Sequence, residues 1–172
     1  MEKRTTGHIL RLNLAAELTH GMCVSNLAFQ VACEMGLPPE TCHEMAVAGM
    51  VHDIGKVKEL SRFPENDYTD DGQLLGHIVI GTEMVSSAIR AIKDFPPGLA
   101  SELKHCIIAH HGELEYGSPK KPALLEALAL NFADNTDAKM ETMLEALNAG
   151  GENKGWLGYN RLLETNIRKT AE

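Results

Sequence analysis

Histidines and aspartates stand in this sequence where helices would turn their apolar faces inward, and this restricts the fold more than any other feature. His20 shares a helical face with Val24, Leu27 and Val31; His52 aligns with Met45 and Gly49. His110 aligns with Leu99, Leu103 and Ile107, and Asp134 with Ala127 and Leu130, always at helical spacing. A buried, unpaired carboxylate or imidazolium is costly. One histidine on an apolar face is ordinarily a core residue with its hydrogen bonds satisfied, and two can coincide. Five histidines and two aspartates on five predicted helices are harder to accommodate that way. A divalent cation would serve them all, because it accepts neutral imidazole nitrogen and carboxylate oxygen together.

The helices follow from apolar periodicity and its punctuation. A short helix is predicted over 7–18 and a second over 20–35, closed by Gly36. Pro38, Pro39 and Glu40 open a third that stops at Gly55. Residues 56–75 read as a long connection, rich in Asp, Asn, Pro and Gly turn formers. A fourth helix is predicted over 76–93 and a fifth from Pro96–Pro97 to His111. After a polar loop over 112–121, a long helix runs from Pro122 to about Asn148, ended by Gly150 and Gly151. Residues 155–172 suit either a last short helix or an extended strap. With 5% aromatic residues and few β-branched runs, no sheet is expected. The expectation is an all-α fold in a single domain over 1–172. Its five core helices, with short flanking helices, lie within 19–149, followed by a tail over 150–172.

A net charge of −8 argues against a general phosphate-backbone clamp, so tight duplex nucleic-acid binding is not expected. The four cysteines form no C-x-x-C pair; buried, reduced thiols are the expectation for Cys23, Cys33, Cys42 and Cys106. No stretch suits a signal peptide or a bilayer span, which leads to the expectation of a cytoplasmic protein with no membrane partner.

The adjacent pair His52–Asp53 points about 100° apart on a helix, so the two cannot chelate as an i, i+4 pair would. Near a helix end both can reach an ion held between helices, and the two oxygens of Asp53 could bridge two ions. The run Met50-Val-His-Asp-Ile-Gly-Lys-Val57 resembles the signature of the HD phosphohydrolase superfamily. The ordered set His20, His52–Asp53, His77, His110–His111 and Asp134 is similar to the two-metal branch of that superfamily. LLGHIVIG (74–81), HCIIAHHGELEYGSP (105–119) and FADNTDAKM (132–140) resemble the HD domain of bacterial 3′→5′ exoribonucleases. Those enzymes carry an OB-fold ahead of the HD domain. No OB-fold is expected within these residues, so processive or tight single-strand binding is not expected.

The resemblance implies a phosphohydrolase acting on a nucleotide or short single-stranded RNA, with two divalent ions (Mn, Fe, Co or Zn) and a metal-activated hydroxide. By position, one ion would take His20, His52, Asp53 and Asp134, and the other Asp53, His77, His110 and His111. Asp53 and Lys56 are the expected catalytic pair, Lys56 steadying a phosphate oxygen; a cation favoured at a helix C-terminus is the alternative for Lys56. Lys56, His105, Tyr116 and Ser118 are candidates for touching substrate, and Asp137 for orienting a ligand histidine. Packing and turn geometry account for His105, Tyr116 and Ser118 equally well. Two other functions stay open: a metal- or nucleotide-binding regulatory module without turnover, and a cyclic-dinucleotide phosphodiesterase. The latter shares the metal pattern, but its GYP motif is replaced here by Glu115-Tyr-Gly-Ser-Pro119.

Overall fold

A computed structural model describes residues 3–61, 67–151 and 155–170, with side chains described from residue 18 onward. Five long helices dominate it: α1 (Lys3–Glu34), α2 (Pro39–Val51), α4 (Asp70–Ala91), α5 (Pro97–Ala109) and α6 (Leu125–Ala149). A four-residue helix α3 (Lys56–Glu59) follows α2, and a 3-10 turn covers Leu114–Tyr116. The fold is all-α apart from a two-stranded antiparallel hairpin, β1 (Trp156–Asn160) and β2 (Thr165–Arg168).

Several boundaries differ from the sequence expectation. The predicted break before His20 is absent, and α1 is continuous. Gly21 weakens a helix without ending it, and no proline interrupts the run. The expected connection over 56–75 contains α3 and the first turns of α4. The Thr69 side chain accepts from Gly72 N at 2.9 Å, and Asp70 and Asp71 occupy the first turn, so apparent turn formers cap a helix instead. Pro64 and Asn66 lie outside the described residues. Gly76, where the sequence suggested a helix start, is a kink inside α4 with φ +72. At the other end, residues 156–168 form neither a helix nor a strap. Asn160 Oδ1 accepts from the N–H groups of Leu162 and Leu163 at 2.9 and 3.0 Å, and this side-chain turn reverses the chain into the hairpin.

The chain divides into two compact units, Met1–Asp134 and Asn135–Glu172. The core of the first is built mostly from small side chains: Val24, Ala28 and Ala32 of α1, Cys42, Met45 and Ala48 of α2, Cys106 and Ala109 of α5, and Ala127, Leu130 and Ala133 of α6. The buried stripe of α1 follows a spacing of four through Val24, Ala28 and Ala32. Leu27 therefore sits at its margin, and Val31 is 39% exposed. For the same reason Cys33 is exposed and Cys23 half-buried, contrary to expectation, whereas Cys42 and Cys106 are buried free thiols. Alanines and Gly49 let the α1 and α2 backbones approach closely, and the ends of α2 and α5 bring the His52 and His110 ring centroids to 5.0 Å. In the second unit Leu157 lies over Gly150, where a Cβ would meet its Cδ2 at 2.7 Å, and Ile167 is buried.

Candidate metal centre

Helix ends build the site. The last turn of a helix leaves carbonyl oxygens without intrahelical partners. His52, at the end of α2, donates from Nδ1 to Gly49 O at 2.7 Å, and His110, at the end of α5, donates from Nδ1 to Ile107 O at 2.7 Å. His111 donates from Nδ1 to Tyr116 O at 2.7 Å, across the turn that follows α5. His77 sits just past the Gly76 kink, with Nδ1 3.1 Å from Glu59 Oε1, which also accepts from its backbone N–H at 2.9 Å. Carbonyl oxygens only accept, so each Nδ1 bonded to one carries the proton, leaving a lone pair on Nε2 of the neutral ring.

Those Nε2 atoms face two aspartates, and the oxygens of Asp53 divide between them. Asp53 Oδ2 lies 3.3 Å from His52 Nε2, 3.7 Å from His20 Nε2 and 2.7 Å from Lys56 Nζ. Asp53 Oδ1 lies 3.4 Å from His77 Nε2 and 3.5 Å from His110 Nε2. Asp134 Oδ1 lies 3.1 Å from His20 Nε2 and 3.5 Å from His52 Nε2. His77 and His111 bring their Nε2 atoms to 3.3 Å. Donor atoms within 4.8 Å of one another occur in the sets His20–His52–Asp134, His52–Asp53–His110 and His77–His110–His111.

This donor set fits divalent cations. Among the described residues, His52 Nε2, Asp53 Oδ1 and His110 Nε2 are buried without a hydrogen-bond partner, which native proteins seldom tolerate. The Nε2 lone pairs of His77 and His111 would repel if nothing lay between them. A cation removes both penalties, and imidazole with carboxylate suits Zn, Mn, Fe or Co.

The family model for the HD domain matches residues 18–139, which carry every residue of this cluster. The chain belongs to the HD domain family. Curated relatives include the 3′-5′ exoribonuclease YhaM of Bacillus subtilis (strain 168), 40% identical over 145 residues, with 77% of this chain and 45% of that protein covered. The protein of the same name from Halalkalibacterium halodurans is 37% identical over 164 residues, covering 84% of this chain and 50% of that one. The chain thus spans about half the length of the curated relatives it matches. Among solved structures, the crystal structure of the L. monocytogenes phosphodiesterase PgpH HD domain aligns with a TM-score of 0.49 at 20% identity, covering 75% of this chain and 72% of that one.

Without an ion, the HD pair titrates as a coupled acid–base cluster. Burial disfavours the charged form of His52, but the Asp134 and Asp53 carboxylates outweigh it and raise the imidazole to about 10. Burial would likewise raise Asp53, yet His110, His52 and Lys56 hold its carboxyl well below the usual range. Asp134 is depressed in the same sense against burial, by His20 and His52. His111 moves the other way: burial, then the neighbouring His110, lower it.

The remaining expected residues separate. Lys56 reaches the centre through Asp53. His105 accepts from Ala123 N at 2.9 Å, which commits its Nε2 to tying α5 to the segment before α6. Tyr116 contributes its carbonyl to His111, while its side chain is exposed. Ser118 is buried, and its Oγ has no hydrogen-bond partner among the described residues. Asp137, half-buried on α6, belongs to the second unit. Two residues escaped sequence reasoning. Buried Glu59 holds His77, and Asn131 Nδ2 donates to His110 O at 2.7 Å. The only sequence signal for Asn131 is its place one turn before Asp134; Glu59 has none, since it falls in the stretch read as a connection. No helix among the described residues is long and apolar enough to cross a membrane.

Proposed function

We propose that this HD domain is a metal-dependent phosphodiesterase that hydrolyses a phosphodiester bond in a nucleotide or short single-stranded RNA. The observation that carries the reading is the division of Asp53, Oδ2 toward His20 and His52 and Oδ1 toward His77 and His110. A carboxylate so placed between two imidazole sets suits a pair of ions. His20, His52, Asp53 and Asp134 would hold one, and Asp53, His77, His110 and His111 the other. Bound there, divalent cations supply Lewis acidity to phosphoryl oxygens and make a water acidic enough to act as nucleophile near neutral pH.

The chain's own residues pre-position this chemistry. The backbone and Glu59 bonds at Nδ1 fix four imidazoles before any ligand arrives, so donor orientation requires no reorganisation. Lys56 adds a cation beside Asp53, where charge accumulates on a phosphate. Of the loop residues expected to touch substrate, Tyr116 is exposed and available for contact, whereas Ser118 is buried. RNA as the substrate class is supported by the relatives named as 3′-5′ exoribonucleases.

Protein purified without chelator should carry about two ions per chain by elemental analysis. Loaded with Mn²⁺, it should cleave bis-p-nitrophenyl phosphate or short oligoribonucleotides, and Asp53→Ala should abolish the cleavage. If the unaltered protein cleaves neither substrate and Asp53→Ala behaves identically, the reading is wrong.

A further inference from the structure

The hairpin of the second unit exposes the chain's single tryptophan. Trp156 and Tyr159 are 66% and 63% exposed. An odd spacing of three would normally send two strand residues to opposite faces. Here the register pairs Trp156 with Arg168, Gly158 with Ile167 and Tyr159 with Asn166, and an irregularity between Trp156 and Gly158 absorbs one residue. Arg168 and Asn166 share a face of β2, opposite buried Ile167, so their partners Trp156 and Tyr159 share that outer face. The bulge thus places both rings on one side, about 7 Å apart along the strand.

The polar residues around the rings include two arginines, an asparagine and, in the turn, exposed Glu164. Arg168 stands across from Trp156, Asn166 across from Tyr159, and exposed Arg161 occupies the turn. Among the described residues, neither arginine has a carboxylate partner and neither ring contacts another ring. Two arginines against one glutamate leave the hairpin with a small excess of positive charge in a chain of net charge −8, beside unstacked aromatic faces. Bases stack on aromatic rings whatever their sequence, and guanidinium groups take the adjacent phosphates. Duplexes hide their base faces, so charge and ring geometry together select a single strand.

We propose that the outer face of the β1–β2 hairpin binds single-stranded nucleic acid, with Trp156 and Tyr159 as stacking platforms and Arg161 and Arg168 as phosphate contacts. This names a second contact for the substrate class proposed above and rests on that reading only for the choice of RNA as probe.

The full chain is titrated with a short oligouridylate in EDTA, where no turnover occurs, so failure to bind and failure to hydrolyse are separate results. Emission from Trp156 should be quenched saturably by the single strand and much less by an RNA duplex. Tyr159→Ala should weaken binding about tenfold. Tyr159→Leu, which keeps apolar bulk without a π face, should do the same, while Tyr159→Phe retains affinity. Arg168→Ala should reduce the slope of log K against log salt by about 0.7. Far-UV circular dichroism checks that each variant is folded. Three results would overturn the proposal: no binding at moderate salt, a rise in anisotropy of labelled oligouridylate with unchanged tryptophan emission, or equal quenching by duplex.

Discussion

Gly55 offers a sharp test of how the second imidazole set is placed. It lies two residues past Asp53, at the start of α3, where the chain meets the backbone of α4. A Cβ added there would stand 1.9 Å from His77 O and 2.7 Å from Gly81 N. Carbon and carbonyl oxygen rest at about 3.3 Å or more, so the two backbones would have to part by roughly 1.4 Å. Both obstructing groups are main chain, and no side-chain rotation relieves them. Gly55→Ala should therefore destabilise the fold by about 1–3 kcal/mol, the usual range for overpacking. Its effect on the site should be larger, because His77 moves with that backbone, and a misplacement of about 1 Å costs roughly a hundredfold in rate. Denaturant midpoints, ion content and bis-p-nitrophenyl phosphate cleavage report the three quantities. Gly98→Ala is the control: nothing lies within 4 Å of its Cβ, and a gain of about 0.4–1 kcal/mol is expected in the first turn of α5. If Gly55→Ala keeps the native midpoint, both ions and full activity, the α4 backbone does not set the position of His77.

Two further expectations concern charge. Glu59→Gln preserves shape but removes the carboxylate from His77 Nδ1, so calorimetric titration should show one ion bound about 10–100-fold more weakly and the other unchanged; equal loss of both would contradict the assignment of His77 to one set. In chelator, stability should depend on pH through His52. Its folded value of about 10 lies above the ordinary value of about 6.5, so the contribution is complete below about 6.5 and lost as pH rises toward 10. Asp53 and Asp134 act in the opposite sense: their depressed values add stability above the ordinary carboxylate range, which is lost on acidification. Saturating Mn²⁺ should flatten the alkaline loss, since a ligand imidazole is already neutral. Flat denaturant midpoints between about pH 6 and 10 in chelator would refute the coupling.

Asp53, His77 and His111 were legible only through the resemblance to the HD superfamily. His20, His52, His110 and Asp134 were legible because a helix repeats its faces every three or four residues. An inward imidazole therefore reveals itself by its apolar neighbours, as His52 does beside Met45 and Gly49. The end of α6 at Gly150 was legible because helix termination is local chemistry, whereas α2 stops at Val51, ahead of the expected Gly55, which instead opens α3. The start of α4 was not, because Thr69-Asp-Asp is as good a turn as a cap, and only packing against Glu59 chose between them. The hairpin was missed because its pairing joins residues up to twelve positions apart, from Trp156 to Arg168, and depends on a bulge with no clear sequence mark.

The sequence by itself determined that His20, His52, His110 and Asp134 share faces with apolar neighbours and in what order they come, since helical periodicity runs along the chain. The margins of those faces, such as Val31 and Cys33, were set by packing. The sequence also determined how His52 and His110 are held, because their Nδ1 acceptors lie three residues back in the same helix. Only the tertiary structure decided that His77 is held by Glu59, eighteen residues away, and that Asp53 turns one oxygen to each imidazole set. Those arrangements depend on distances between helices, which packing fixes and no local pattern encodes.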